Sequence, residues 1–212
     1  MSPFMPSVFL LKPGSITRDE RGRILDARSS VTLIVSGRHR IVVDSGLLGE
    51  EETIDRALAE LCIKPEEIDY VVNTHSHSDH CGNNHLFSRA KVLAAKDGDM
   101  IASGVWVLAT PGHSMDSISV VVETNLESNG SVSNGSVVIV IAGDALPTFG
   151  NFQKKVPPAL HVDRDLAMAS MKRIMTLADF VVPGHDFPFS IRKEAYVLLP
   201  FRIGPERGKC RL

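Results

Sequence analysis

The eleven residues THSHSDHCGNN (74–84) constrain this chain more than any other stretch, because three of its eight histidines fall within six positions around one aspartate. Core packing gives no reason to group imidazoles in this way, whereas metal ligation does. The cluster follows IDYVVN, an apolar run that reads as a buried strand. On a strand, residues i, i+2 and i+4 share a face, so His75, His77 and Asp79 are expected to project together, with His80 swinging in from the turn beyond. Three further ligand-type residues end apolar runs: His113 in VWVLATPGH, Asp144 in VVIVIAGD and His185 in ADFVVPGH. Each follows a glycine (Gly112, Gly143, Gly184), which lets the backbone turn sharply beside a crowded centre. Five histidines and two aspartates, all at strand ends, point to one shared centre.

Seven such ligands exceed the three protein ligands usual at a catalytic zinc site and suit two metal ions sharing a bridging carboxylate. The donors are nitrogen and oxygen without thiolate, which admits divalent zinc foremost, with iron or manganese as alternatives. A water shared by two such ions serves as a hydroxide nucleophile near neutral pH, while one ion polarises the attacked oxygen.

The rest of the chain reads as strand-rich halves with helices outside them, an α/β domain with two sheets in the middle. SVFLLK (7–12) and SSVTLIVSG (29–37) are β-rich, and Gly37–Arg38 makes a hairpin turn into RHRIVVDSG. Apolar residues at 54, 57, 58 and 61 have helical spacing behind an acidic first turn. KVLAA and VWVLATPGH follow as strands joined by the connection KDGDMIASG, and SISVVVETN and SVVIVIAGD flank LESNGSVSNG (126–135), expected as a mobile hairpin loop. Asp163 is a candidate N-cap for a late helix with apolar residues at 166, 167, 171, 174 and 175. No repeat, charge run or domain boundary interrupts the 212 residues, so one domain over 1–212 is expected, with its core at about 8–190 and a C-terminal extension over 191–212.

A formal net charge of −2 removes any global electrostatic case for nucleic-acid binding. The tail FRIGPERGKCRL is locally basic through Arg202, Arg207, Lys209 and Arg211, and reads as a solvated end. Cys62, Cys81 and Cys210 are too few and too scattered for a disulfide framework, which favours a reducing compartment. The start lacks a basic n-region, its VFLL run is too short for a signal peptide, and no segment approaches the ~20 apolar residues of a membrane span. The expectation is a cytoplasmic protein without a membrane partner.

In their order along the chain, VDSG at Asp44, THSHSDH, TPGHS, AGD and PGHD closely resemble the motifs of the metallo-β-lactamase superfamily, over about residues 8–190. The resemblance implies the four-layer αββα sandwich. It also implies that His75, His77 and His113 bind a first metal, that Asp79, His80 and His185 bind a second, and that Asp144 bridges them. Asp79 is then the catalytic residue that orients the bridging hydroxide, and Asp44 supports the ligand loop from behind. GNNHLF after the cluster (Gly82, Asn83, Leu86, Phe87), DSISVVV and ADFVVPGHDFPF are similar to the small single-domain metallo-β-lactamase-domain-containing proteins of type one, a group connected with RNA cleavage and weak β-lactam binding. The chain departs from the pattern in having only 32 residues between His80 and His113, a trimmed stretch where the substrate wall is often built.

Two reaction classes share such a centre. The first is hydrolysis of a small carbonyl substrate (thioester, lactone, ester or lactam), with Asp79 handling the proton. The second is phosphodiester cleavage, as in an endoribonuclease, for which RNA is the partner. The 40 residues between Asp144 and His185 leave no room for a large inserted domain of the nucleic-acid-processing kind, and the surface charge is not basic, so the carbonyl reading leads. A mononuclear iron centre of the persulfide-dioxygenase kind and a metal-stabilised scaffold are the remaining readings. Other residues carry less: Cys81 packs behind His80, and His85 and His39 read as surface groups. His161 lies in a loop expected to border the mouth, Phe149 and Phe152 either form an apolar lip or are buried, and Trp106 belongs to a strand.

Overall fold

The computed structural model describes residues 5–128 and 131–197, apart from the side chains of 126–128 and 131–134; the basic tail and Asn129 lie outside the described residues. The first half supplies strand β1 (Ser7–Lys12), the hairpin β2 (Ser15–Arg18) and β3 (Ile24–Arg28), then β4 (Val31–Ser36) and β5 (His39–Val43). The β4–β5 turn falls at Gly37 as expected, with φ of 61° and Ser36 paired to His39. Helix α1 (Glu51–Glu60) carries the chain across to β6 (Tyr70–Val72), which pairs parallel to β5. The short helix α2 (Ser78–Cys81) and strand β7 (Lys91–Val92) complete a five-stranded sheet in the order β1-β4-β5-β6-β7.

The second sheet collects β8 (Met100–Ala102), β9 (Val105–Ala109), β10 (Ile118–Ser128) and β11 (Ser131–Gly143). Helices α3 (Phe149–Lys154) and α4 (Arg164–Leu177) cross to β12 (Phe180–Pro183), and β13 (Phe189–Ser190) and β14 (Ala195–Tyr196) close the edge. The order is β14-β13-β12-β11-β10-β9-β8, with β12 parallel to β11.

The two-residue alternation of the strands assigns the layers. Ile41, Val43, Val72, Val120, Val122, Ile139 and Ile141 point between the sheets and form the middle core. Their neighbours Val42 and Val71 point the other way, onto Ile54 and Leu58 of α1. Val121 and Val140 likewise turn outward onto Met171 and Ile174 of α4. The result is the four-layer αββα sandwich. Asp163 caps α4 by accepting from the backbone N–H groups of Asp165 and Leu166, an arrangement worth about 1 kcal/mol. Ala167, Met171 and Ile174 of the expected stripe are buried, while Leu166 stands at the exposed edge.

Several expectations need correction. β6 ends at Val72, so the histidine cluster lies beyond the strand, and Asp79 sits in the turn of α2 rather than on a strand face shared with His75 and His77, while His80 comes from that turn as expected. The loop expected over 126–135 is strand through Ser128 and again from Ser131, with Glu127 paired to Val132; continued pairing satisfies backbone groups that a loop would leave to water. KDGDMIASG contains β8 rather than only a connection. The β2–β3 hairpin has no counterpart in the sequence reading. Phe149 and Phe152 stack in the core under α4 and form no lip. Cys62 is disulfide-bonded and Cys81 is a free thiol. No helix among the described residues is long and apolar enough to cross a membrane.

Candidate metal centre

The C-terminal ends of five strands meet at one rim of the sandwich, the usual place for a site in open α/β sheets. Asp44 follows β5, His75 to His80 follow β6, His113 follows β9, Asp144 follows β11 and His185 follows β12. All seven residues singled out in the sequence come together there. His75, His77 and His113 form one triad whose ligand atoms lie within 4.8 Å of one another, and Asp79, His80 and His185 form another.

Asp144 stands between the two triads. Its Oδ2 lies 3.3 Å from His113 Nε2, and its Oδ1 lies 3.1 Å from His185 Nε2 and 3.5 Å from His80 Nε2. Asp79 Oδ2 is 3.5 Å from His185 Nε2 and 3.8 Å from His80 Nε2. The glycines foreseen before the ligands permit this crowding. A Cβ on Gly184 would collide with Asp144 Oδ1, and one on Gly143, whose φ is 49°, would lie 2.5 Å from Thr74 Oγ1.

The outer nitrogens of the histidines determine what the inner ones offer. His113 Nδ1 faces the Leu160 carbonyl at 2.7 Å and His185 Nδ1 faces the Arg28 carbonyl at 3.0 Å. A carbonyl only accepts, so both Nδ1 atoms carry the proton and both Nε2 atoms present bare lone pairs to the centre. His80 Nδ1 donates to Asp44 Oδ2 at 2.7 Å, with the same consequence. Thr74 donates its hydroxyl to Asp44 Oδ2 at 2.9 Å, which leaves Thr74 Oγ1 to accept from His75 Nδ1 at 3.2 Å. His77 turns its Nδ1 inward instead, 2.9 Å from His75 Nε2 and 3.0 Å from His113 Nε2.

Three imidazole nitrogens lie this close together, two of them fixed as lone-pair donors by their outer partners, an arrangement that suits a shared cation. His80 Nε2 and Asp144 Oδ1 are buried without a hydrogen-bond partner, as groups reserved for a metal would be. The donor set, imidazole and carboxylate, suits a divalent ion such as zinc, iron or manganese.

The protonation preferences without metal are consistent with a centre that wants positive charge. Burial pushes His75 down to about 2, and the neighbouring charge of His80 adds to this. Burial also disfavours charge on His80 and His185, but the Asp44 carboxylate beside His80 and Asp144 beside His185 overcome it and raise both. Burial acts to raise Asp144, and its histidine neighbours, His185 first, overcome that and hold it well below the usual carboxylate range.

Above the ligands lies a cleft of about 330 Å³. His77, Asp79, His113, Asp144 and His185 form its floor. Ile16, Arg18, Ile24 and Ala27 of the β2–β3 hairpin form one wall, with Leu47 beside them, and Pro158 to Leu160 line another part. The loop expected to border the mouth does so, although His161 itself is exposed, bonds back to the Pro158 carbonyl and is not among the lining residues. His85 is a surface group near Glu51 Oε1 at 3.4 Å, His39 is exposed against Tyr70, and Cys81 donates its thiol to the His77 carbonyl at 3.2 Å. The hairpin wall was missed because ILDAR and SITR show no clean apolar alternation; the polar turn DERG between them was its only signal.

Residues 26–95 match the model of the metallo-β-lactamase superfamily. A probable metallo-hydrolase of Methanocaldococcus jannaschii is 35% identical over 193 residues, covering 84% of this chain and 85% of the relative. The mouse metallo-β-lactamase domain-containing protein 1 is 35% identical over 187 residues, covering 80% of this chain and 68% of the relative. Among solved structures, an N-acyl homoserine lactone hydrolase with the product N-hexanoyl-L-homoserine bound at its catalytic metal centre superposes with a TM-score of 0.63 at 20% identity, covering 88% of this chain and 94% of the other. The chain belongs to the metallo-β-lactamase superfamily and is a metal-dependent hydrolase of that family.

Proposed function

We propose that the protein hydrolyses a small carbonyl substrate, a lactone or thioester with an apolar acyl arm, at a centre of two divalent ions, zinc foremost. The observation that carries this reading is the placement of Asp144, whose two oxygens face different triads across the cleft floor. His75, His77 and His113 would hold one ion, Asp79, His80 and His185 the other, and Asp144 both. Bound there, the ions supply Lewis acidity, lowering the pKa of water and drawing electron density from the substrate carbonyl.

The remaining work belongs to the chain. Asp79 stands at the floor with its carboxylate partly exposed to the cleft, placed to take the proton of the attacking water and return it to the leaving group. Ile16, Ile24, Ala27, Leu47 and Leu160 offer an apolar wall for the acyl arm and exclude water from around the reacting carbon. Arg18 is the one lysine or arginine among the lining residues; it donates to the Gly22 carbonyl at 2.9 Å and leaves further N–H groups for a polar or anionic part of the substrate. A nucleic-acid backbone would ask for more cations than this wall provides. The structural likeness to a lactone hydrolase supports the carbonyl reading over a phosphodiester.

The test is a paired assay on zinc-reconstituted protein with Asp79→Ala as the blank. One arm uses acyl lactones and thioesters, the other an RNA and a generic phosphodiester. Turnover confined to the first arm is expected. Turnover confined to the second would overturn the reading.

A further inference from the structure

Next to the segments that carry the centre, two buried charged side chains, Lys12 and Glu50, meet the half-exposed Arg28. Glu50 Oε1 lies 3.2 Å from Lys12 Nζ and 3.2 Å from Arg28 Nη1. The Lys12 and Glu50 side chains are only 10% and 7% exposed. A buried ion pair gains little net stability over an apolar replacement, so its retention asks for another reason.

Lys12 and Glu50 reach the two chain segments that brace His185 and α2. Lys12 Nζ donates to the Ser29 carbonyl at 2.7 Å and so anchors the segment 28–30. That segment grips the His185 loop three times. The Arg28 carbonyl accepts from His185 Nδ1 at 3.0 Å, the Ser30 N–H donates to the Gly184 carbonyl at 2.7 Å, and the Ser30 hydroxyl donates to the Pro183 carbonyl at 2.8 Å. The other oxygen of Glu50, Oε2, accepts from the Leu47 N–H at 2.9 Å and packs against Gly46. Residues 45 and 46 in turn hold α2, because the Ser45 N–H donates to the His80 carbonyl at 2.7 Å and the Gly46 carbonyl accepts from the Gly82 N–H at 2.9 Å. One carboxylate therefore ties together both chain segments that deliver the second triad. The first triad depends on other groups, the Leu160 carbonyl for His113 and Thr74 for His75.

We infer that Glu50, clamped by Lys12 and Arg28, is a positioning residue that sets the affinity of the Asp79, His80 and His185 metal site separately from that of the His75, His77 and His113 site. The inference rests on the two-ion reading above. Loss of the Glu50 charge frees Lys12 to leave the Ser29 carbonyl for solvent, and the His185 and α2 segments are then held independently of each other. Outer partners of metal ligands typically control about 10- to 100-fold in affinity.

The experiment is a zinc titration of chelator-stripped full-length protein by calorimetry, with histidine-ring NMR to assign each step. Wild-type protein is expected to bind in two steps. In Glu50→Gln the step that moves the His80 and His185 resonances should weaken about 10-fold or more, while the step that moves His75 and His113 stays unchanged. Lys12→Met, which keeps the apolar stem, should shift the same step and serves where Glu50→Gln does not fold. Two unchanged steps in a folded variant, or equal weakening of both, would overturn the inference. A stoichiometry of one zinc per wild-type chain would overturn the two-ion reading itself, and this inference with it.

Discussion

Asp44→Asn isolates how the chain controls the tautomer of a candidate metal ligand, His80. Asp44 has a φ of 56°, and asparagine tolerates this left-handed geometry, so the backbone is not the variable being tested. The native carboxylate accepts three hydrogens: the Thr74 N–H at Oδ1 (2.7 Å), and the Thr74 hydroxyl and His80 Nδ1–H at Oδ2 (2.9 and 2.7 Å). An amide has one oxygen for these three donors. The backbone N–H of Thr74 cannot invert, so the amide oxygen must face it and the NH₂ group must face Thr74 Oγ1 and His80. The threonine hydroxyl can rotate away. His80 can answer only by moving its proton to Nε2, the atom that points at Asp144. To bind a metal, His80 must then regain the native tautomer against an opposing N–H. That forfeits a charge-assisted hydrogen bond worth about 1.5–3 kcal/mol, or roughly 10- to 100-fold in affinity. Chelator competition with zinc measures this loss, histidine-ring ¹⁵N shifts report the tautomer, and circular dichroism verifies the fold. A folded Asp44→Asn protein with native zinc affinity and an unshifted His80 would refute the argument.

Other perturbations separate the remaining roles. Asp79→Ala should abolish carbonyl hydrolysis with little change in the fold, since that side chain contributes no packing to the three cores; undiminished turnover would remove it from the proton pathway. His80 and His185 have raised pKa values in the metal-free fold, so their stabilisation is complete below the unfolded value of 6.5 and is lost as pH rises through the folded values. Metal-loaded protein does not depend on those protons, so the gap in melting temperature between loaded and stripped protein should widen from pH 6.5 upward; a constant gap contradicts this. Gly184→Ala should reduce zinc content, because its Cβ would displace Asp144, and full metal loading with native melting would show that the loop can yield. Arg18→Ala should raise KM for substrates bearing an anionic group several-fold and leave kcat nearly unchanged, whereas an equal effect on neutral substrates would assign Arg18 to the hairpin alone.

The seven residues that gather at the centre were legible in the sequence because their pattern is written in two independent ways. The H-x-H-x-D-H spacing marks its centre, and the glycine-then-ligand endings of three apolar strands mark its other sides. The two sheets were legible for a related reason: strands such as β4, β5, β10 and β11 are apolar on both faces, which requires layers on both sides. The local conformation at the cluster was not legible. A period of two places His75, His77 and Asp79 on one side of a strand, yet the four-residue helix α2 places Asp79 and His80 in the same centre by another route. Spacing alone does not distinguish a continued strand from one helical turn when every residue involved is polar. Arg28 and Leu160 were invisible for a different reason, since they act through backbone carbonyls, which every residue possesses.

Those two carbonyls also limit how freely the cleft can change. Leu160 lines the cleft with its side chain, and its backbone oxygen keeps the proton on His113 Nδ1. Arg28 does the same for His185, one residue beyond Ala27 of the hairpin wall. The segments that shape the cleft are therefore the segments that orient the candidate metal ligands. A substitution that reshapes either wall by moving its backbone withdraws the carbonyl as well, and a bare lone pair at the centre becomes an N–H. Substitutions that alter only a wall side chain, at Ile16, Ile24 or Leu47, leave both carbonyls in place. Changes in substrate preference should therefore be readily reached through those three positions, and through the Pro158–Leu160 segment only where the Leu160 carbonyl keeps its place.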